Sequence, residues 1–303
     1  MWLINVETLG LEHFVGKNTP KYAILSHTWE DEEISFQEMN QYGPYITYYQ
    51  HTMPKGFAKI RQTCCLAALR GLQYAWVDTC CIDKSSSAEL TEAINSMFRW
   101  YRDAEVCYAY LSDFDDSLPN EATTLDRLAK CRWFFRGWTL QELIAPTSIR
   151  FYSRSWIHIG TKLDLCFSIH SITSIPTDLL LGRSRSFEYS IARRMSWAAR
   201  RKTTRIEDTA YCLLGLFAVN MPLLYGEGDK AFLRLQEELV KSTTDASLFA
   251  WTTKDSSLPP HPDPFGLGLL SISLPAHHRS TSSSRRNPSP GHSARPGLPC
   301  LQL

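Results

Sequence analysis

The chain has no run of about 18 apolar residues, the length a helix needs to cross a bilayer. Its opening stretch, MWLINVETLGLEHF, lacks the basic start and long apolar segment of a secretory leader. We therefore expect a cytoplasmic protein with no membrane association. An excess of charge of one sign is also missing. The 32 Lys and Arg residues nearly cancel 31 Asp and Glu, which leaves a formal charge of +1 and argues against a dedicated nucleic-acid binder. The nine cysteines show no CxxC and no Cys/His spacing suited to zinc, so no metal is expected. No strained G-x-S-x-G turn is present, which removes the usual signature of a serine nucleophile.

What is present is a globular composition of 44% hydrophobic and 12% aromatic residues over 303 positions. The adjacent pairs Cys64-Cys65 and Cys80-Cys81 sit in apolar segments and read as reduced, buried thiols. PKYAILSH (20–27), LQYAWVD ending at Asp78, VCYAYL (106–111) and SIRFYS (148–153) read as strands. Between them lie helical patterns. In GFAKIRQTCCLAALRG, Phe57, Ile60, Cys64 and either Ala67 or Ala68 share a face, and Gly71 is a natural stop. In SAELTEAINSMFRWYRDA, Ser86 and Glu89 are placed as a capping box ahead of a stripe of Leu90, Ile94, Met97, Phe98 and Tyr101. This alternation predicts an α/β fold with a parallel sheet as the middle of three layers.

The second half reads as helices packed on or beside that sheet. WIHIGTKLDLCFSIHSITSIPTDLL and SIARRMSWAARRKTTRIEDTAYCLLGLF carry helical patterns, with Thr204 and Glu207 spaced as a second capping box. Phe232, Leu235 and Leu239 form the stripe of a further amphipathic helix. Gly226 and Gly228 in YGEGDK lack the strand-to-helix setting of a phosphate loop and predict a helix-entry turn. The basic run 193–205 predicts a solvated face, with a surface for acidic partners or nucleic acid as the minor alternative. We expect one unit over residues 1–253, with a sheet core at about 20–155 and a helical extension at 156–253. Residues 254–303, rich in Ser, Pro and Arg, have little to bury and read as a low-complexity tail.

Ligands of open α/β sheets bind beyond the carboxyl ends of the strands. That rule selects Ser26, His27 and Trp29 after the first strand, Asp78 and Asp83 after the second, and Ser112 and Asp113 after the third. The first three form either a ligand-facing loop or a polar loop around a satisfied histidine. Asp78 and Asp83 either bind ribose hydroxyls or cap the turn into the next helix. In RGWTLQELIAP (136–146), Trp138 and Glu142 lie one helical turn apart. Glu142 is either a solvated charge or a carboxylate aimed into a site, and the apolar residues around it count against full exposure. Trp138 either walls such a site or packs in the core. Arg136 either holds a phosphate in bidentate fashion or makes a structural ion pair.

Six blocks in order, YAILSHTW, YAWVDTCCIDKSSSAELTEAINSMFRWY, VCYAYLSD, RGWTLQELIAP, RMSWAARRKTTRIEDTAYCLLGLF and MPLLYGEGDKAFLRLQEE, resemble the fungal heterokaryon incompatibility (HET) domain family. The resemblance implies a role in non-self recognition between fungal individuals and in the cell death that follows incompatible fusion. The chain departs from the family's pattern at Glu30, where a glycine is usual, and at Ala218, where an acidic residue is common. A more distant resemblance is to TIR domains, carried by a strand ending in Ser and a helix with W-x-x-x-E. It implies a TIR-like, flavodoxin-like sheet and cleavage of NAD between nicotinamide and ribose, with Glu142 as the catalytic carboxylate. NAD is then a substrate, and no bound cofactor is expected. The alternatives are a non-enzymatic signalling or assembly module, working through self-association or an incompatibility partner protein, and a truncated inactive paralogue.

Overall fold

The computed structural model describes residues 1–43, 56–116 and 123–249. The tail from 254 and most of the aromatic loop QYGPYITYYQHTMPKG lie outside these residues. Seven strands form one sheet: β1 (Trp2–Asn5), β2 (Leu11–His13), β3 (Tyr22–His27), β4 (Tyr74–Trp76), β5 (Val106–Tyr110), β6 (Ile149–Tyr152) and β7 (His158–Thr161). Their order is β2-β1-β4-β3-β5-β6-β7. The β4-β3-β5-β6 centre is parallel, and β1, β2 and β7 are added antiparallel at the two flanks. The sheet is thus mixed, where a parallel one is expected from the sequence.

The central strands owe their place to composition. Every residue of YAILSH in β3 and VCYAY in β5 is buried, which is possible only where both faces of the sheet are covered. The helices that follow β3 are α1 (Phe36–Tyr42) and α2 (Gly56–Ala68). After β4 comes α3 (Ser87–Asp103), and after β5 come α4 (Thr124–Leu128) and α5 (Thr139–Ile144). The chain steps from β3 to β4 in one direction, then passes back over β3 to β5 and on to β6. Right-handed crossovers in opposite directions put α2 on one face and α3 and α5 on the other. The packing agrees: α2 lies against β3 and β4, while α3 packs on α5 and α5 on β3.

Three local readings are corrected. WIHIGTK is not helical: His158–Thr161 is the edge strand β7, held by pairing with β6, and the helix starts only at Cys166. Strands therefore run from Trp2 to Thr161, beyond both ends of the expected core. Thr204 and Glu207 do not form a capping box. Glu207 itself occupies the cap position, and its carboxylate accepts from the backbone N–H groups of Gly226 (2.8 Å) and Gly228 (3.2 Å). At the start of α3, Ser86 accepts from Glu89 N–H, but the Glu89 carboxylate takes the N–H of Asp83 and leaves that box half formed.

The extension comprises α6 (Cys166–Thr173), α7 (Thr177–Leu180), α8 (Ile191–Ser196), α9 (Asp208–Tyr211), α10 (Leu214–Phe217) and α11 (Lys230–Ser242). It covers the sheet's second helical layer, with α10 on α3 and α9 on α11. Among the described cysteines all are free thiols, and all but Cys65 are buried. No helix among the described residues is long and apolar enough to cross a membrane.

Candidate functional site

The parallel strand order reverses between β3 and β5, the place where such sheets leave a crevice at their carboxyl edge. Successive residues of a strand point to opposite faces, so Ser26 and His27 at the end of β3 serve two different clusters. Ser26 turns toward α5. Its hydroxyl donates to Glu142 Oε2 at 2.5 Å and accepts from Trp133 Nε1 at 2.8 Å. Tyr101, from α3, lies beside the same carboxyl and donates its own proton to Leu25 O at 2.8 Å. Glu142 is only 5% exposed. Burial, and then the charge of Asp78, push its pKa up to about 8, against weaker opposing pulls from Ser26, Arg136 and Tyr101. Burial thus favours the protonated, uncharged form of this carboxyl at neutral pH.

His27 turns to the α2 face. Its Nε2 lies 3.1 Å from Asp78 Oδ1, and its Nδ1 lies 3.4 Å from Lys59 Nζ. A lysine ammonium only donates, so Nδ1 is the acceptor and the proton sits on Nε2, facing Asp78. Lys59, buried on the core face of α2, continues to Glu33 (2.5 Å) and Glu30 (3.3 Å). Asp78 also accepts from Trp29 Nε1 at 2.7 Å. Burial works to raise the Asp78 carboxyl, but His27, Lys84 and the indole N–H outweigh it and hold its pKa below the ordinary value. A chain of polar contacts thus runs from the core of α2 to an indole on the surface.

The segment that carries Glu142 is tied down from the extension. Residues 135–137 lie alongside Lys202 in a parallel bridge, with Gly137 N–H donating to Lys202 O (2.8 Å) and Lys202 N–H to Phe135 O (2.6 Å). A β-carbon on Gly137 would lie 2.5 Å from Thr203 Cγ2 and 3.1 Å from Cys212 Sγ, so a larger residue here would have to displace the Thr203 side chain. Arg201 is buried and donates to Arg136 O and Thr139 Oγ1, both at 2.9 Å. Beyond the bridge opens a cleft of about 440 Å³ lined by Trp29, Glu30, Asp31, Arg132, Arg136 and Thr204.

The residues singled out from sequence therefore separate. At the switch point Ser26 pairs with Glu142 on one face and His27 with Asp78 on the other, and Trp29 and Arg136 line the cleft beside them. Asp83 accepts from Ser85 N–H and from Gln37, which places it in the turn before α3. Trp138 donates toward Asp208 of the extension, and the indole that reaches the Ser26–Glu142 pair is that of Trp133. Trp133, Lys59, Arg132 and Arg201 were not selected from sequence. Lys59 had a legible signal, a lysine between Phe57 and Ile60 on a helix otherwise set for the core. Arg201 looked like one charge in a solvated basic run, and its neighbours Arg200 and Lys202 are indeed exposed.

With this geometry in hand, two family models match the sequence. The model for heterokaryon incompatibility protein (HET) covers residues 22–123. Residues 22–123 belong to the heterokaryon incompatibility family. A model named only as a domain of unknown function (DUF8212) covers residues 230–285. Vegetative incompatibility protein HET-E-1 of Podospora anserina is 48% identical over 228 residues, a match that covers 73% of this chain and 16% of that protein. The chain thus spans under a fifth of the length of that relative. No solved structure matches it. The HET match holds β3, β4 and β5 with Ser26, His27 and Asp78, while Glu142 and the bridge to Lys202 lie beyond its end.

Proposed function

We propose that the chain is an effector of heterokaryon incompatibility that acts in the cytoplasm and cleaves NAD between nicotinamide and ribose. One observation carries the biochemical reading: a buried, proton-bearing carboxyl, Glu142, is hydrogen-bonded to Ser26 where the parallel strand order reverses. The four central strands follow the order second-first-third-fourth, the flavodoxin-like arrangement, which favours the TIR-like fold. Cleavage leaves positive charge on the ribose, and a fixed carboxylate stabilises it or adds to the sugar carbon. The nicotinamide ring of NAD is itself cationic. Its approach lowers the Glu142 pKa and releases the carboxylate as substrate binds. Water supplies the oxygen that ends on ribose, and nicotinamide leaves neutral.

A second reading is favoured by the low exposure of Glu142, whose bond to Ser26 already satisfies it. There the domain works by self-association or by recruiting a partner protein, and the carboxyl is structural. The two are separated by incubating the 303-residue chain with NAD at high protein concentration, beside Glu142→Gln. The enzymatic reading expects nicotinamide release that falls at least ~100-fold in the variant with circular dichroism unchanged. Release should also rise between about pH 6 and 8 as the carboxyl ionises. A wild-type protein that kills yeast on expression yet leaves NAD intact would sink it and leave assembly as the account.

A further inference from the structure

The cleft beside the Glu142 cluster has features that the cleavage reading leaves unused. Trp29 is 44% exposed, an unusual position for an indole, yet both its edge and one face are fixed. Its N–H is spent on Asp78, and Lys84 Nζ lies 4.0 Å from the ring centroid. Asp78 is in turn held by His27, and His27 by Lys59. Holding an exposed ring this way removes the ordering cost of stacking a ligand on its open face.

The charges of the cleft are not equally available. Arg132 is committed to Asp113 (3.3 Å) and Glu30 (3.4 Å), and Glu30 is shared with Lys59. The Arg136 guanidinium has no hydrogen bond or ion pair among the described residues. Its backbone is nonetheless rigid, with its carbonyl held by Thr139 and Arg201 and its strand by Lys202. Asp31 lines the same cleft and is exposed. One aromatic platform, one exposed carboxylate outside the ion pairs of Glu30 and one uncommitted guanidinium therefore share a space of about 440 Å³.

We infer that this cleft is a mononucleotide subsite, with the base stacked on Trp29, ribose hydroxyls donating to Asp31 and a phosphate held by Arg136. Carboxylates accept from ribose hydroxyls, and guanidinium forks match phosphate oxygens. The volume lies near the low end for small-molecule sites, about 300–1,000 Å³, and suits one nucleotide rather than a whole dinucleotide. This subsite deepens the NAD reading by giving the nucleotide half of the substrate a place, but it requires no cleavage.

The test is calorimetric titration of the full chain with ADP, adenosine and pyrophosphate in turn. ADP should bind about 10-fold or more tightly than either fragment, because adenosine lacks the phosphate contact and pyrophosphate lacks the base and ribose contacts. Arg136→Met should weaken ADP about 10-fold or more and leave adenosine unchanged, and Trp29→Leu should weaken both. Both side chains reach solvent, and the comparison among ligands on the wild-type chain needs no variant. No ADP binding at millimolar concentration, pyrophosphate binding as tight as ADP, or an Arg136→Met protein that binds ADP like wild type would each overturn the inference. The two ideas fail separately. ADP bound with NAD left intact removes cleavage and keeps the subsite. NAD consumed with an unchanged KM in Arg136→Met removes the subsite and keeps cleavage.

Discussion

Glu142 makes a prediction that does not depend on catalysis. A carboxyl whose folded pKa is raised binds a proton in the folded chain after the unfolded chain has released it. Between the ordinary value of 4.5 and about 8, stability therefore falls as pH rises. Glutamine keeps the shape without the proton equilibrium, so Glu142→Gln should lose this slope. Urea unfolding from pH 5 to 8 should show the variant gaining steadily on wild type, and a constant difference would contradict a buried acid. Ser26→Ala removes the acceptor of the Trp133 N–H and the donor to Glu142, two groups buried in the core. It should cost about 1–3 kcal/mol in the same assay.

Among the elements, α10 places two small residues under opposite demands. Gly215 faces Phe98 of α3, and a β-carbon there would lie 2.1 Å from Phe98 Cβ. Three residues on, Ala218 ends the helix with φ of 56°, a left-handed conformation that favours glycine. Gly215→Ala should thus destabilise by about 1–3 kcal/mol through overpacking, although alanine is the better helix former. Ala218→Gly should stabilise by up to about 1 kcal/mol by relieving the strained backbone. Thermal unfolding of the two variants should move the midpoint in opposite directions. If both rise, helix propensity outweighs packing and this contact is looser than described.

At the scale of the whole molecule, the sheet and the helical extension share one core and one site. Arg201 and Lys202 hold the segment that presents Arg136 and Glu142, and the described residues all fall within one compact unit. Unfolding by urea should therefore follow one transition, with the near-ultraviolet signal of the tryptophans and the far-ultraviolet signal of the helices lost together. An early loss confined to helical signal would show that the extension melts alone and that the bridge contributes little.

Much of the core sheet was open to reading in the chain alone. YAILSH and VCYAYL are apolar without alternation, a pattern that only strands covered on both faces can use. Ser26, His27 and Asp78 were selected by the rule that ligands bind beyond the carboxyl ends of such strands, which also selected Asp83 of the following turn. Glu142 stood out by its place one helical turn from Trp138 among apolar residues. The flanking strands were hidden because Leu11–His13 and His158–Thr161 are too short to show a period, and pairing with a neighbour decides their conformation. Which indole bonds to Ser26, which arginine is buried and which stays exposed also escaped, since Trp133 and Trp138, or Arg200 and Arg201, are equivalent in type and nearly adjacent. Contacts between residues 60 or more apart in the chain, Arg201 with Arg136 and Trp133 with Ser26, separate them. The charge state of Glu142 is of the same kind: the residue supplies the carboxyl, and the low-dielectric surroundings that keep its proton exist only once the fold has closed around it.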